Sequence, residues 1–281
     1  MDGETAAGER TGNRSDAGRG MGVRRFGRIN WLGLWTLATR EVQRFLAVWT
    51  QTVAAPLVTA GLFLAVFTLA LGRDRPEVLG VTFLAFLAPG ILMMTVIQNA
   101  FANTSSSIMI AKVQGNIVDT LMPPLSPLEL LLGYLAGGIA RGVLVAVAVG
   151  LPMALLLGVG VAHPVWALAF VLAGSALMGA LGIVAAIHAG KFDQMAAITN
   201  FIITPLSFLS GTFYSAAALP PAMEALLRVN PVFYLIDGAR YGMIGRSDAH
   251  PALGLVVLLA ATAAVSALAW HWFRIGHRMK A

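Results

Sequence analysis

The 281-residue chain contains no cysteine. That excludes disulfides, thiolate metal sites and cysteine nucleophiles, although missing thiols report nothing about the compartment. Charge is nearly as scarce: 11% of residues are Asp, Glu, Lys or Arg, against roughly a quarter in soluble domains. Catalytic signatures are missing too. The acidic residues are scattered, the five histidines have no ligand spacing, and there is no GxSxG, HExxH or GxxxxGK(S/T) phosphate loop. The chain is therefore not expected to be an enzyme, to hold a metal or to hydrolyse ATP itself. Any active pumping has to draw its energy elsewhere.

What is present is apolar. Hydrophobic residues make up 58% of the chain and the mean hydropathy is +0.78, and the apolar runs are continuous. The 30 glycines show no period of three, which excludes collagen. The formal charge of +6 does not read as a nucleic-acid surface, because the cations lie between and outside the apolar runs, where they act as topology signals.

Six runs have spanning length, at about 51–72, 80–103, 130–157, 165–188, 194–213 and 252–273, predicting an all-α polytopic membrane protein with six transmembrane helices. Pro89 and Gly90 predict a kink in the second run. Residues 1–28 are expected to be a disordered cytoplasmic tail and 274–281 a second cytoplasmic tail, flanking a membrane domain at 50–273. No secretory signal peptide is expected, since no apolar run and cleavage-like site follow the early arginines. Segment 29–49 is amphipathic: Trp31, Trp35 and Trp49 share an apolar stripe with Leu34, Ala38, Val42 and Phe45, while Arg40 and Arg44 take the other face. It reads either as a helix on the membrane surface or as an extension of the first span. Counting Lys and Arg places thirteen on the side of the termini and five on the other, with Arg141 inside the third run. The positive-inside rule then puts both termini in the cytoplasm, which an even number of spans also requires.

Several groups are candidates for function. Between the second and third runs, at about 108–122, Ile108, Ala111, Ile117, Val118, Leu121 and Met122 form apolar patches stopped by Pro123 and Pro124. Such a face needs partners, from this chain or from a separate subunit. Ser126, Pro127 and Glu129 form the start signal of the next helix. Gly133, Gly137, Gly138 and Gly142 allow close helix contact, either within the chain or at a dimer seam. Arg141 either snorkels to the headgroups or lines a polar cavity facing an anionic substrate or lipid. The region 214–246 is too broken for a span and too apolar for an exposed loop, so a re-entrant element is predicted. Within it Glu224 and Arg228 have surface-pair spacing, and Asp237 and Arg240 are placed to pair.

Taken together, RFxxVWxQTVxxPxxxxxLF at 44–63, PGILMM at 89–94, NAFANTSSS at 99–107, PPLSPLE at 123–129, GTFYSxxxLPP at 211–221 and NPVFYLIDGARYG at 230–242 resemble the ABC-2 type permease family. The nearest likeness is to the bacterial branch of multidrug, lipo-oligosaccharide and polysaccharide exporters. The resemblance runs from about Trp31 to the last helix. It implies a permease of the bacterial cytoplasmic (inner) membrane that moves an amphipathic, lipid-linked or drug-like substrate by alternating access. It also implies a second permease copy, giving a homodimer, and two copies of a separate ATP-binding subunit carrying ATP and Mg. By the same resemblance 29–49 is the connecting helix, with Trp35, Arg40, Arg44 and Trp49, and 108–122 is the coupling helix. Charged substitutions at Ile117 and Leu121 are then expected to uncouple the ATPase. An ATP-independent channel or a secondary transporter is the alternative, though neither repeated halves nor intramembrane coupling acids are evident.

Overall fold

The computed structural model describes residues 29–71 and 77–278, the side chains of Leu71 and Leu121 excepted. The expected tail at 1–28, the turn with Arg73 and Arg75, and Lys280 lie outside these residues. Among the described residues there are helices and one isolated β-bridge, Val78 to Val81, but no strand.

Helix α1 spans Trp31–Leu46, and a π turn at Thr50–Ala54 leads into α2, Ala55–Leu71. Then come α3 (Phe83–Val113), the single-turn α4 (Ile117–Leu121), α5 (Pro127–Leu157) and α6 (Pro164–His188). Next are α7 (Phe192–Ile198), a second π segment (Thr199–Ile203) and α8 (Thr204–Leu209). After a 3-10 turn at Ala216–Ala218, α9 (Pro221–Val229), α10 (Pro231–Ile244) and α11 (Pro251–Ile275) complete the described chain. Among the described residues five helices are each long and apolar enough to cross a membrane: Thr50–Ala70, α3, α5, α6 and α11.

The apolar run at 194–213, expected as a single span, is one unbroken helical path from Phe192 to Leu209 whose middle turn is π. Pro205 cannot donate to the carbonyl four residues back, and the ladder widens into the π segment just before it. From Phe192 to Leu209 the path is ~27 Å long, at the short end of spanning length, and Gly211, with φ +84°, turns the chain away.

α3 also departs from expectation, continuing ten residues past the predicted end at 103. The NTSSS stretch looks like a loop in sequence, but it is buried helix whose hydroxyls find carbonyls: Thr104 Oγ1 donates to Gly179 O of α6 at 2.8 Å. The stop comes at Gly115, with φ +74°. The coupling segment expected at 108–122 is therefore split into the last turns of α3 and the short α4. The capping box of α5 forms as expected, with Ser126 N donating to Glu129 Oε2 at 2.6 Å and Glu129 N to Ser126 Oγ at 3.3 Å.

α3 and α6 are the centre, with 72% of each spanning window buried, whereas the windows of α2, α5 and α11 are 11%, 22% and 17% buried and turn apolar side chains outward. Lys112, in the last turn of α3, donates to the carbonyls of Ala186, Ile187 and Ala189 at the end of α6, at 2.6 to 3.0 Å. At the opposite end the region 214–246 forms the two short helices α9 and α10. α10 runs antiparallel to α6: Leu235 meets Gly174, Phe170 meets Gly238, and Ala167 meets Gly242. Gly174 lies about ten residues past Pro164, so the start of α10 sits ~15 Å along α6 from that end. α10 itself, ~21 Å long, is too short to span.

Pro89 lies within the continuous helix α3, and Gly90 beside it serves a close approach: an added Cβ would stand 2.5 Å from Thr212 O. Gly90→Val is expected to destabilise the protein by about 1–3 kcal/mol. Gly61→Ala, where nothing lies within 4 Å, is expected to change stability by less than about 0.5 kcal/mol. Thermal unfolding of both variants in detergent checks the contrast.

Candidate functional site

A buried carboxylate organises the end of the bundle that carries α1. Glu41 is fully buried. Its Oε1 accepts from Ser107 Oγ of α3 at 2.7 Å and from Arg40 at 3.2 Å, and its Oε2 accepts from Arg44 Nε at 3.3 Å and a terminal Arg44 nitrogen at 3.1 Å. Arg44 also donates to Ser106 Oγ at 3.1 Å, Asn103 O at 2.6 Å and Asn103 Oδ1 at 3.0 Å. Asn103 is itself fully buried, and its Nδ2 has no hydrogen-bond partner.

Phe45, expected in the Trp stripe of α1, turns instead to the protein interior. Leu37, Glu41 and Phe45, at helical spacing, face inward, while Trp31, Trp35 and Trp49 are 69%, 73% and 61% exposed. Arg44, expected on a solvated face, folds onto α3, and Arg40 reaches Thr120 Oγ1 at 3.2 Å. α1 runs beside the first half of α5 in the same direction. Leu37 meets Gly133 and Glu41 meets Gly137, where a Cβ would come within 2.5 Å in each case. A Cβ at Gly138 would stand 3.1 Å from Thr104 of α3, and one at Gly142 would clash with Ser175 of α6. The glycine stripe thus serves packing within the chain. The start of α1 is tied to α5 as well, since Asn30 N donates to Glu129 Oε1 at 2.6 Å.

Arg141 is partly buried and extends the same strip, its Nε and one terminal nitrogen donating to Asn99 Oδ1 of α3 at 3.2 and 2.9 Å. Beside the strip, a polar groove of about 610 Å³ opens between α1, the end of α3 and α4, lined by Arg40, Gln43, Arg44, Gln114, Asn116 and Asp119. Of the six apolar residues proposed for partner contact, Ile108 and Ile117 are buried, at 1% and 3% exposure, and belong to this chain's own packing. Ala111 is half-buried, Val118 and Met122 are exposed, and the Leu121 side chain lies outside those described. A charge at Ile117 would therefore disrupt the chain's own packing, so Ile117 is withdrawn as a probe of partner contact.

The opposite end has its own ionic cluster. Arg240 is fully buried, 3.4 Å from Asp237 and 4.0 Å from Asp248, and one of its terminal nitrogens donates to Gly211 O at 2.7 Å. Its guanidinium lies 3.9 Å from the centre of the Phe86 ring. Asp237 accepts from Asp248 N and Ala249 N at 2.9 and 2.8 Å, and Asp248 accepts from Ser215 Oγ and Ala216 N. The cluster joins α10 and α3 to two irregular segments. Glu224 and Arg228 form an exposed pair at 2.7 Å, and that bond holds Arg228 above its ordinary pKa. Between the ends, an apolar cavity of about 350 Å³ is lined by Leu92, Met93, Ala146, Gly150, Val171 and Met243, among others.

A family model for the ABC-2 type transporter matches residues 33–244. The chain belongs to the ABC-2 type transporter family. Among its relatives, the inner membrane transport permease YadH of Escherichia coli (strain K12) is 31% identical over 252 residues, covering 90% of this chain and 98% of that protein. Nodulation protein J of Rhizobium leguminosarum bv. viciae is 27% identical over 243 residues, covering 83% and 89% of the two chains. Nodulation protein J of Rhizobium meliloti (strain 1021) is 24% identical over 233 residues, covering 82% and 87%. The chain is thus a multi-pass inner-membrane transport permease of the ABC-2 type. Among its described residues no group of three or more His, Asp or Glu is placed to hold a metal.

In this ABC-2 type chain sequence reasoning missed Glu41, Asn99 and Asn103. The available signal was Glu41 sitting four residues from both Leu37 and Phe45, on their face of the helix. Glu41→Gln removes the one anion facing Arg44 and is expected to cost on the order of 3 kcal/mol. Arg40→Ala, at a side chain 48% exposed, is expected to cost less than about 1 kcal/mol. Unfolding midpoints in detergent measure both.

Proposed function

We propose that the chain is the membrane-spanning subunit of an ATP-driven exporter, working as a homodimer with two copies of a separate ATP-binding subunit that carries ATP and Mg. Both termini face the cytoplasm on this reading, and the α9–α10 element faces the outside. The alternating positions of Lys and Arg support that orientation. The substrate is amphipathic, lipid-linked or drug-like, and the apolar cavity between α3, α5, α6 and α10 suits its apolar part.

The observation that carries the reading is the exposed apolar projection at α4. Val118 is 53% and Met122 76% exposed, on a single helical turn set between Gly115 and the Pro123–Pro124 stop. Such a projection is suited to a partner's groove. α4 follows directly on α3, and α3 is bound through Ser107, Asn103 and Lys112 to α1 and α6. A push at α4 therefore reaches the helices around the core as a rigid-body displacement.

Val118→Asp combined with Met122→Asp is expected to leave the unfolding midpoint unchanged while lowering co-purification of the ATP-binding subunit and its substrate-stimulated ATP hydrolysis by about tenfold. Full co-purification with undiminished stimulated hydrolysis would overturn the assignment of α4.

A further inference from the structure

Arg141 stands near the midpoint of α5 with no carboxylate partner among the described residues. Two of its nitrogens share one neutral amide oxygen, Asn99 Oδ1, and its remaining terminal nitrogen has no partner there. Asn99 is held in turn by its Nδ2 donating to Thr95 O at 2.9 Å. The charge that bears on Arg141 is that of Arg44, of the same sign. Glu41 pairs with Arg40 and Arg44 and not with Arg141, so the strip carries surplus positive charge. An amide satisfies N–H donors without neutralising their charge, and an uncompensated cation at membrane depth is costly.

The depth follows from two helices counted separately. Hydrocarbon ~30 Å thick corresponds to ~20 residues of α-helix. Measured from Phe83 along α3, that length ends at about Asn103, and measured back from Leu157 along α5 it ends at about Gly137. Both residues adjoin Glu41 or Arg44, so the levels agree. Asn99 and Arg141 each lie one turn further in. Arg141 is therefore within reach of the headgroup layer, yet its side chain is directed at Asn99. Beyond it, from Gly142 to Leu157, α5 has no polar side chain. A cation at the edge of a wholly apolar helix face matches a molecule with one acidic group and an apolar body.

We propose that Arg141, positioned by Asn99, is a subsite for the anionic group, a phosphate or carboxylate, of an amphiphile taken from the inner leaflet, so that the exported substrates are anionic amphiphiles. The inner leaflet and the outward direction of transport rest on the permease reading above. The anion subsite itself rests on the geometry and is tested without the ATP-binding subunit.

The purified full-length chain in phosphatidylcholine nanodiscs is titrated with fluorescent lysophosphatidic acid, with fluorescent lysophosphatidylcholine as the zwitterionic control. The wild type is expected to bind the acidic probe about tenfold more tightly than the control, and Arg141→Gln to lose that preference while Arg141→Lys keeps most of it. Asn99→Asp, which gives Arg141 a counter-ion in place, is expected to raise the unfolding midpoint and abolish the preference. That variant keeps the test decisive if Arg141→Gln does not fold. Equal binding of the two probes by the wild type, or an unchanged preference in Asn99→Asp, overturns the subsite. Displacement of the acidic probe by millimolar inorganic phosphate overturns the amphiphile as the source of the anion. Loss of coupling in the α4 variants together with equal probe binding would remove the subsite and leave the permease reading standing. The reverse pattern would do the opposite.

Discussion

A carboxylate shut away from water has to be surrounded by donors, and the end of this molecule near α1 is arranged around meeting that demand for Glu41. Ser107 and Arg40 donate to one of its oxygens and Arg44 to the other. For them to do so, α1 must lie against α5 closely enough that only glycine fits at 133 and 137. Ser107 of α3 and Gly137 of α5 are both in contact with that one buried charge. Replacing both partners by apolar groups would be a smaller change than removing one, because a lone ion in such a place has nothing to offset its desolvation.

The same logic operates at the far end with the sign reversed. There a guanidinium, Arg240, is enclosed by two carboxylates, a backbone carbonyl and the face of Phe86. α3 belongs to both clusters, through Phe86 at one end and Asn103 with Ser107 at the other. The buried stretch between them, Ile91–Ile97, is apolar except for Thr95, whose hydroxyl is satisfied by Leu92 O. A helix pinned by ions at both ends and greased in the middle transmits displacement along its axis with little bending.

Much of the fold could be read from hydropathy and punctuation. Five of the spanning runs, the Ser126–Glu129 start of α5 and the broken character of 214–246 follow from local patterns that the tertiary structure does not override. The rest required neighbours. NTSSS reads as a loop until Gly179 offers a carbonyl to Thr104, and nothing in the Pro205 run announces the π turn just before that proline. The candidate site was half legible. Arg141 and the glycines stood out because charge and small residues are conspicuous in an apolar helix. Glu41 did not, because next to Arg40 and Arg44 it looks like part of an ordinary charged surface, and only the three-dimensional position of α3 and α5 shows that water is absent. For the same reason Ile108 and Ile117, apolar residues in a polar segment, suggested an exposed face that their burial removes.

The three carbonyls at the end of α6 that share the Lys112 ammonium belong to a helix that has run out of internal donors. The stitch makes the ends of α3 and α6 one mechanical joint, so the two central helices pivot together at this end or not at all. Opening a path between them here would expose three unpaired carbonyls and an ammonium at once. The outer helices α2 and α7–α8 are more thinly packed around that joint.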